Sequence, residues 1–289
     1  MNTTIAPTGT LRLILRGGRV EIHYQIDSAH MKNSQRPCGA RVIGVDKGYR
    51  EALTDSDGEH HGASLGGLLR AESDARNEKG RRRARLRSIA NRAAGCGNQA
   101  KADRIHRSSL GTLKRERRSG RCRARVRTEI FGAVHRVVDK AAVVVAEDLT
   151  KTFAGRKPLG KKMNRRLAAW TKGVTADALK NVSERRGSAL VHVNCAYTSQ
   201  VDHRTGLFGV RNGEKLYCPS DGVVLHADVN AAINVLHRHG DPDITLRTPH
   251  KRVKQILQER ADRHRIRLPI QDSSRSRGGG ERIIRSAQQ

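Results

Sequence analysis

Aromatic side chains are scarce in this chain, with 3 Phe, 1 Trp and 4 Tyr among 289 residues. The core is therefore expected to be aliphatic, and a single-strand binder that works mainly by stacking bases on aromatic rings is disfavoured. Acids are short as well: 28 Asp+Glu stand against 57 Lys+Arg, for a formal net charge of +29 and a pI near 11.2. Such a deficit of negative charge points to a polyanionic partner, nucleic acid first. No apolar run approaches the roughly 18 residues a spanning helix needs, and the amino terminus lacks a signal peptide's basic-then-apolar pattern. The expectation is a soluble, intracellular protein with no membrane contact. The five cysteines, Cys38, Cys96, Cys122, Cys195 and Cys218, are odd in number and form no CxxC pair. That argues against a disulfide framework and suits a reducing compartment.

Periodicity then organises what is present. Residues 10–27 alternate apolar and polar around a Gly-Gly turn and read as a hairpin, followed by a polar linker over 28–40 that contains Pro37. From about 70 to 128 the chain is crowded with Arg and Lys, is broken near Gly95–Gly97, and runs into Val126, Ile130, Val134, Val137 and Val138 at helical spacing. Two long helices joined by a turn are predicted there. "AAVVVAEDL", 141–149, reads as a buried central strand. Leu167, Trp170, Val174, Ala178 and Val182 repeat on a helical stripe, which assigns Trp170 to core packing, and "ALVHVN", 189–194, reads as a further strand. A Gly- and Asp-rich stretch with an Asn212-Gly213 turn precedes "ADVNAAINVLHR", in which Val229, Ile233 and Leu236 share a helix face. Thr248 as cap and Pro249 at the first helical position open a last helix over Val253, Ile256 and Leu257, and a Ser/Arg/Gly-rich tail follows from about 272. Strands alternating with helices give the α/β class.

Three acids share one property. Asp46 and Glu147 close apolar strands, and Asp228 opens the helix that follows another. If the two strands are neighbours and the helix crosses their ends, three carboxylates form one cluster of oxygen ligands suited to Mg²⁺ or Mn²⁺. Two such ions activate water and stabilise the leaving oxygen of a phosphodiester. Asp55 and Asp57 read instead as turn residues before Gly58, and Asp148 as a residue on the other side of its strand or a cap, so these three serve as controls for cleavage. His226 is the histidine nearest the proposed site. Arg81, Arg82, Arg83, Arg85 and Arg87, with Lys114, Arg115, Arg117 and Arg118, form acid-poor runs that suit phosphate binding.

"GVDKG" with "TDSDG" downstream, "VVVAEDL", "YTSQ" and "HADVNAAINVL" resemble, in order and context, the split RuvC-like motifs of TnpB, the RNA-guided nuclease of insertion sequences, and of its compact type V CRISPR relatives. The resemblance covers about residues 10–270. It implies a ribonuclease H-like (RuvC) mixed sheet over 41–271 with a basic helical insertion at about 70–128. The hairpin and linker of 1–40 would be the remnant of a preceding barrel domain, and 272–289 a disordered tail. It also implies Asp46, Glu147 and Asp228 as catalytic metal ligands for Mg²⁺ or Mn²⁺, guide RNA and target DNA as partners, and a place in the prokaryotic cytoplasm, associated with the nucleoid. The expected activity is RNA-guided DNA cleavage by metal-dependent phosphodiester hydrolysis. The alternative is a truncated binding module that holds nucleic acid without cutting it, because the chain starts almost at the final barrel strands. A purely structural RNA-binding protein explains the charge but not the three acids. Many relatives carry two CxxC pairs in the stretch corresponding to about 198–227; here those positions fall on Asp202 and Thr205, and on Cys218 and Asp221. A mixed zinc site of Asp202, His203, Cys218 and Asp221 is conceivable, but a metal-free hairpin is the expectation.

Overall fold

In the computed structural model, residues 9–25, 36–148 and 172–267 are described. Gly17 and Gly18, at φ 56° and 78°, turn β1 (Arg12–Arg16) back onto β2 (Arg19–His23), a left-handed conformation that costs glycine little. Leu13 pairs with Ile22 and Leu15 with Val20, so one face of this hairpin is apolar, and Leu13, Leu15 and Val20 are well exposed.

The main sheet has five strands in the order β5-β4-β3-β6-β7, formed by β3 (Arg41–Lys47), β4 (Leu53–Asp55), β5 (His60–His61), β6 (Ala141–Glu147) and β7 (Ala189–Val193). The first three run as an antiparallel meander, while β3, β6 and β7 are parallel, which makes the sheet mixed. The connection from β5 to β6 is the basic region. It consists of three helices, α1 (Leu65–Gly95), α2 (Gln99–Ser109) and α3 (Leu113–Lys140), not the two predicted, because Asn98 caps a separate helix by accepting from the Lys101 amide. α3 ends in the buried stripe read from the sequence: Val126, Ile130, Val134, Val137 and Val138 pack with Ile43, Val45, Val144 and Ala146 on one sheet face.

α4 (Lys172–Arg186) joins that layer through Ala178, Leu179 and Val182; Leu167 and Trp170 lie outside the described residues, as does the tail from 272. Arg186 locks α4 in place, donating to the His135 carbonyl at 2.9 Å and to Asp139 at 2.7 Å. α5 (Ala227–His237) covers the opposite face, where Val145, Val193 and Val235 meet. Its fully buried residues are Ala227, Asn230, Ala231, Ala232, Asn234 and Val235, while Val229, Ile233 and Leu236, read as one helix face, are half-buried, and Leu236 packs against that sheet cluster. α6 (His250–Arg267) buries Val253, Ile256 and Leu257 as expected. Thr248 turns its hydroxyl to the Thr245 amide at 2.9 Å rather than capping α6. Between β7 and α5 a small antiparallel sheet, β8 (Val210–Asn212), β9 (Lys215–Tyr217) and β10 (Val224–His226), turns at Gly213, φ 61°. Among the described residues no helix is long and apolar enough to cross a membrane.

Candidate metal centre and nucleic-acid interface

Parallel pairing sets Val45 beside Ala146, so the next residues, Asp46 and Glu147, stand together at the carboxyl ends of neighbouring strands. Asp228 comes to them because α5 lies directly on β3. The contact is made at Gly44, where an added Cβ would fall 2.4 Å from the Ala232 carbonyl oxygen and 2.7 Å from the Leu236 Cβ. Only glycine admits the helix backbone that closely. The three acids read from the sequence thus converge from two strands and a helix start.

Their electrostatics follow from burial and like charge. The Asp46 carboxyl is pushed well above the ordinary carboxylate range, first by burial and then by the charges of Glu147 and Asp228, against the opposing pull of Arg211 and a hydrogen bond from the Lys47 amide. Glu147, 7% exposed, is also raised by burial, with the Thr198 hydroxyl bond and the charges of Lys47, Arg238 and Arg211 pulling the other way. Arg211 donates to Asp228 at 2.6 Å, and the Lys47 ammonium donates to the Glu147 carbonyl oxygen at 2.8 Å. The three side chains offer carboxylate oxygen alone. This hard, anionic, mutually repelling set fits a Mg²⁺- or Mn²⁺-class ion, which would relieve the repulsion that raises Asp46.

Sequence reasoning missed the second layer. Thr198 donates to the Glu147 carboxylate, and its neighbour Tyr197 is the one non-glycine residue with positive φ, 63°, among the described residues. The asparagines of "DVNAAIN" fasten α5 to that segment. Asn230 and Asn234 donate to the Val201 carbonyl at 2.8 and 2.6 Å, and Asn234 donates also to the Thr198 carbonyl at 2.8 Å. Their signal was polar residues inside an apolar helix, legible as buried hydrogen-bonding groups. His226 stands at the start of α5 and meets His60 edge-on, ring centroids 4.8 Å apart.

The basic residues divide. Arg81, Arg85 and Arg87 on α1 and Lys114, Arg115 and Arg117 on α3 lie at the surface. Arg82 pairs with Glu78 at 2.6 Å, and Arg118 approaches the buried Glu72 at 3.5 Å beside Arg76. Arg83 turns inward and donates to the carbonyls of Leu110 and Gly111 at 2.7 and 3.0 Å, which makes it a clamp on the turn into α3 rather than a free phosphate contact. A groove of about 390 Å³ runs between α1 and α3, with Lys79, Arg83, Arg115 and Arg123 in its wall.

Two of the residues named as controls are not bland. Asp55 is fully buried and Asp57 pairs with Arg41 at 2.7 Å. Of the mixed zinc candidates, His203 faces away, its Nδ1 2.9 Å from the Asn230 side-chain oxygen, while Asp202, Cys218 and Asp221 come together.

Residues 175–235, which include Asp228 but neither of the other two acids, match the family model described as Cas12f1-like, TNB domain. A TnpB-like protein of Aquifex aeolicus is 31% identical over 115 residues, 38% of this chain and 38% of that protein. The chain thus matches well under half the length of that curated relative. Among solved structures, CasPhi-2 (Cas12j) bound to crRNA matches with a TM-score of 0.32 and 24% identity, over 50% of this chain and 24% of its own. The mini-RNA-guided endonuclease CRISPR-Cas_phi3 matches with a TM-score of 0.37 and 15% identity, over 72% of this chain and 46% of its own.

Proposed function

From the premise that this is a TnpB-like chain, we propose that it carries the RuvC-like nuclease part of an RNA-guided DNA endonuclease. In this reading the mixed sheet is of ribonuclease H type and the β1–β2 hairpin belongs to a barrel domain. Guide RNA and its DNA heteroduplex follow the exposed arginines and lysines of α1 and α3. Asp46, Glu147 and Asp228 would hold one or two Mg²⁺ or Mn²⁺ ions, which supply an activated water and charge stabilisation at the leaving oxygen. The observation that supports the reading is the convergence of three acids from separate elements upon one point, with burial and like charge at Asp46 outweighing the pull of Arg211 and the Lys47 amide. The chain's own residues do the rest of the holding. Thr198 fixes the Glu147 carboxylate, Arg211 holds Asp228, and Gly44 admits the helix that brings Asp228 in.

The test is cleavage of DNA complementary to whatever RNA co-purifies with the chain, in Mg²⁺ and in EDTA. Cutting in Mg²⁺ alone, abolished by each of Asp46→Asn, Glu147→Gln and Asp228→Asn while RNA remains bound, is the expected result. A parent-like rate in any of the three variants overturns the assignment of the ligands, and a chain that binds RNA and DNA but never cuts overturns the activity.

A further inference from the structure

The segment between β7 and α5 folds into two tight turns that face each other. In the first, the Asp202 amide donates to the Leu207 carbonyl at 2.9 Å and the Gly206 amide returns to the Asp202 carbonyl at 2.8 Å. In the second, the Cys218 amide donates to the Val223 carbonyl and the Gly222 amide to the Cys218 carbonyl, both at 2.9 Å. Asp202, Cys218 and Asp221 project between the turns with their ligand-type atoms all within 4.8 Å of one another. Asp202 and Cys218 are 1% and 2% exposed, so an uncompensated anion there would be costly.

That place is taken from within the chain. Arg204 reaches back from the first turn, its Nη2 donating to Asp202 Oδ2 at 2.7 Å and lying 2.9 Å from Asp221 Oδ2, while its Nε and backbone amide donate to Asp202 Oδ1 at 3.1 and 2.9 Å. Both oxygens of Asp202 and one of Asp221 are therefore engaged by a cation that stays protonated at any working pH. We propose that the Arg204 guanidinium is the built-in cation of this lobe, standing where a divalent ion would otherwise bind Asp202, Cys218 and Asp221, so that the lobe folds without metal. Burial and the neighbouring Asp202 raise the Cys218 thiol, with the Arg204 guanidinium pulling the other way. The Thr205 hydroxyl, the remaining side chain at a ligand-spaced position, is occupied by the Leu207 amide at 3.3 Å. The lobe carries Arg211, which bonds Asp228, so its integrity reaches the acidic site, yet the inference stands apart from any nuclease reading.

Removing the guanidinium should open a three-donor site. The full chain, Arg204→Ala, and Arg204→Ala combined with Cys218→Ser are compared by bound metal in mass spectrometry and by thermal melting in EDTA and in added Zn²⁺. The parent should hold no stoichiometric zinc and melt identically in both buffers. Arg204→Ala should melt about 5 °C lower in EDTA, because Asp202 is left buried and uncompensated, and recover when stoichiometric Zn²⁺ binds. The double variant should melt low and take up no zinc. Zinc in the parent, or melting of the parent that falls in EDTA, overturns the proposal, and this arm holds even if Arg204→Ala fails to fold. Parent-like melting of Arg204→Ala in EDTA overturns it too. So does an Arg204→Ala chain that melts low and takes no Zn²⁺, since the guanidinium then does not stand in an ion's place.

Discussion

Asp55 and Asp46 stand on adjacent strands of one sheet, and their surroundings move their carboxyl groups in opposite directions. Burial pushes Asp55 up, but hydrogen bonds from His61 and the Lys140 ammonium and from the Glu59 amide outweigh it and hold the group well below the ordinary carboxylate range. His61 Nε2 lies 2.8 Å from Asp55 Oδ2, and Lys140 also reaches Asp57 and Glu59 at 3.1 and 3.2 Å. At Asp46 burial also pushes up and two further carboxylates add to it, and Arg211, bonded to Asp228, pulls back without reversing the rise. Asp55 with Glu59 and His61 has metal-like spacing, as does Asp202 with Cys218 and Asp221, yet each contains a cation of the chain's own, Lys140 and Arg204. A buried carboxylate with its own countercharge is a structural tie, whereas one set among like charges calls for a cation from outside the chain.

The sharpest break of that comparison lies in activity. Asp46→Asn, Glu147→Gln, Asp228→Asn and the triple variant should each lose roughly a thousandfold or more in cleavage, with singles about as poor as the triple, because the three act as one ligand set. In EDTA, Asp46→Asn should melt no lower than the parent, since it removes repulsion rather than a tie. Asp55→Ala should do the reverse, losing about 3 to 5 kcal/mol of stability in a denaturant titration by leaving the buried His61 without its partner and taking from Lys140 its buried carboxylate. Asp55 is therefore a poor control for catalysis, and Asp148→Ala serves better.

Gly44→Ala should cost about 3 kcal/mol or more and disconnect Asp228 from the other two acids, read as lost activity together with a lower denaturation midpoint. The pH profile follows from Asp55. Its folded pKa is depressed, so its contribution to stability is present above the unfolded value of about 3.9 and is lost as pH falls below that toward the folded pKa. Melting of the parent should drop through that acid window, and Asp55→Asn should flatten the drop. The smallest effect separates the arginines. Arg81→Ala with Arg85→Ala and Arg87→Ala should reduce the salt dependence of nucleic-acid binding, by up to about one unit of slope for each phosphate the protein ceases to neutralise. Arg83→Ala should leave the slope alone and cost about 1 kcal/mol of stability through the freed carbonyls of Leu110 and Gly111.

By itself the sequence determined the strand and helix alternation, the buried runs of 141–147 and 126–138, the Gly-Gly hairpin and the identity of three acids at element ends, because period, branching and turn residues act locally. It also carried the excess of positive charge, which no fold can hide. What only the tertiary structure decided is where each charge finds its partner. Asp55 is the turn residue its sequence suggests, its Oδ1 accepting from the Asp57 and Glu59 amides at 3.0 and 2.9 Å, but only the fold brings Lys140 to it from the far end of a helix. Arg83 resembles one more exposed base until the α2–α3 turn comes to meet it. The buried face of α5 escapes a reading by hydrophobicity because small Ala and Asn residues carry little of that signal. Their burial depends on the close approach at Gly44 and on the segment that Asn230 and Asn234 fasten. Electrostatic fate depends on distance through space, and chain order does not encode it.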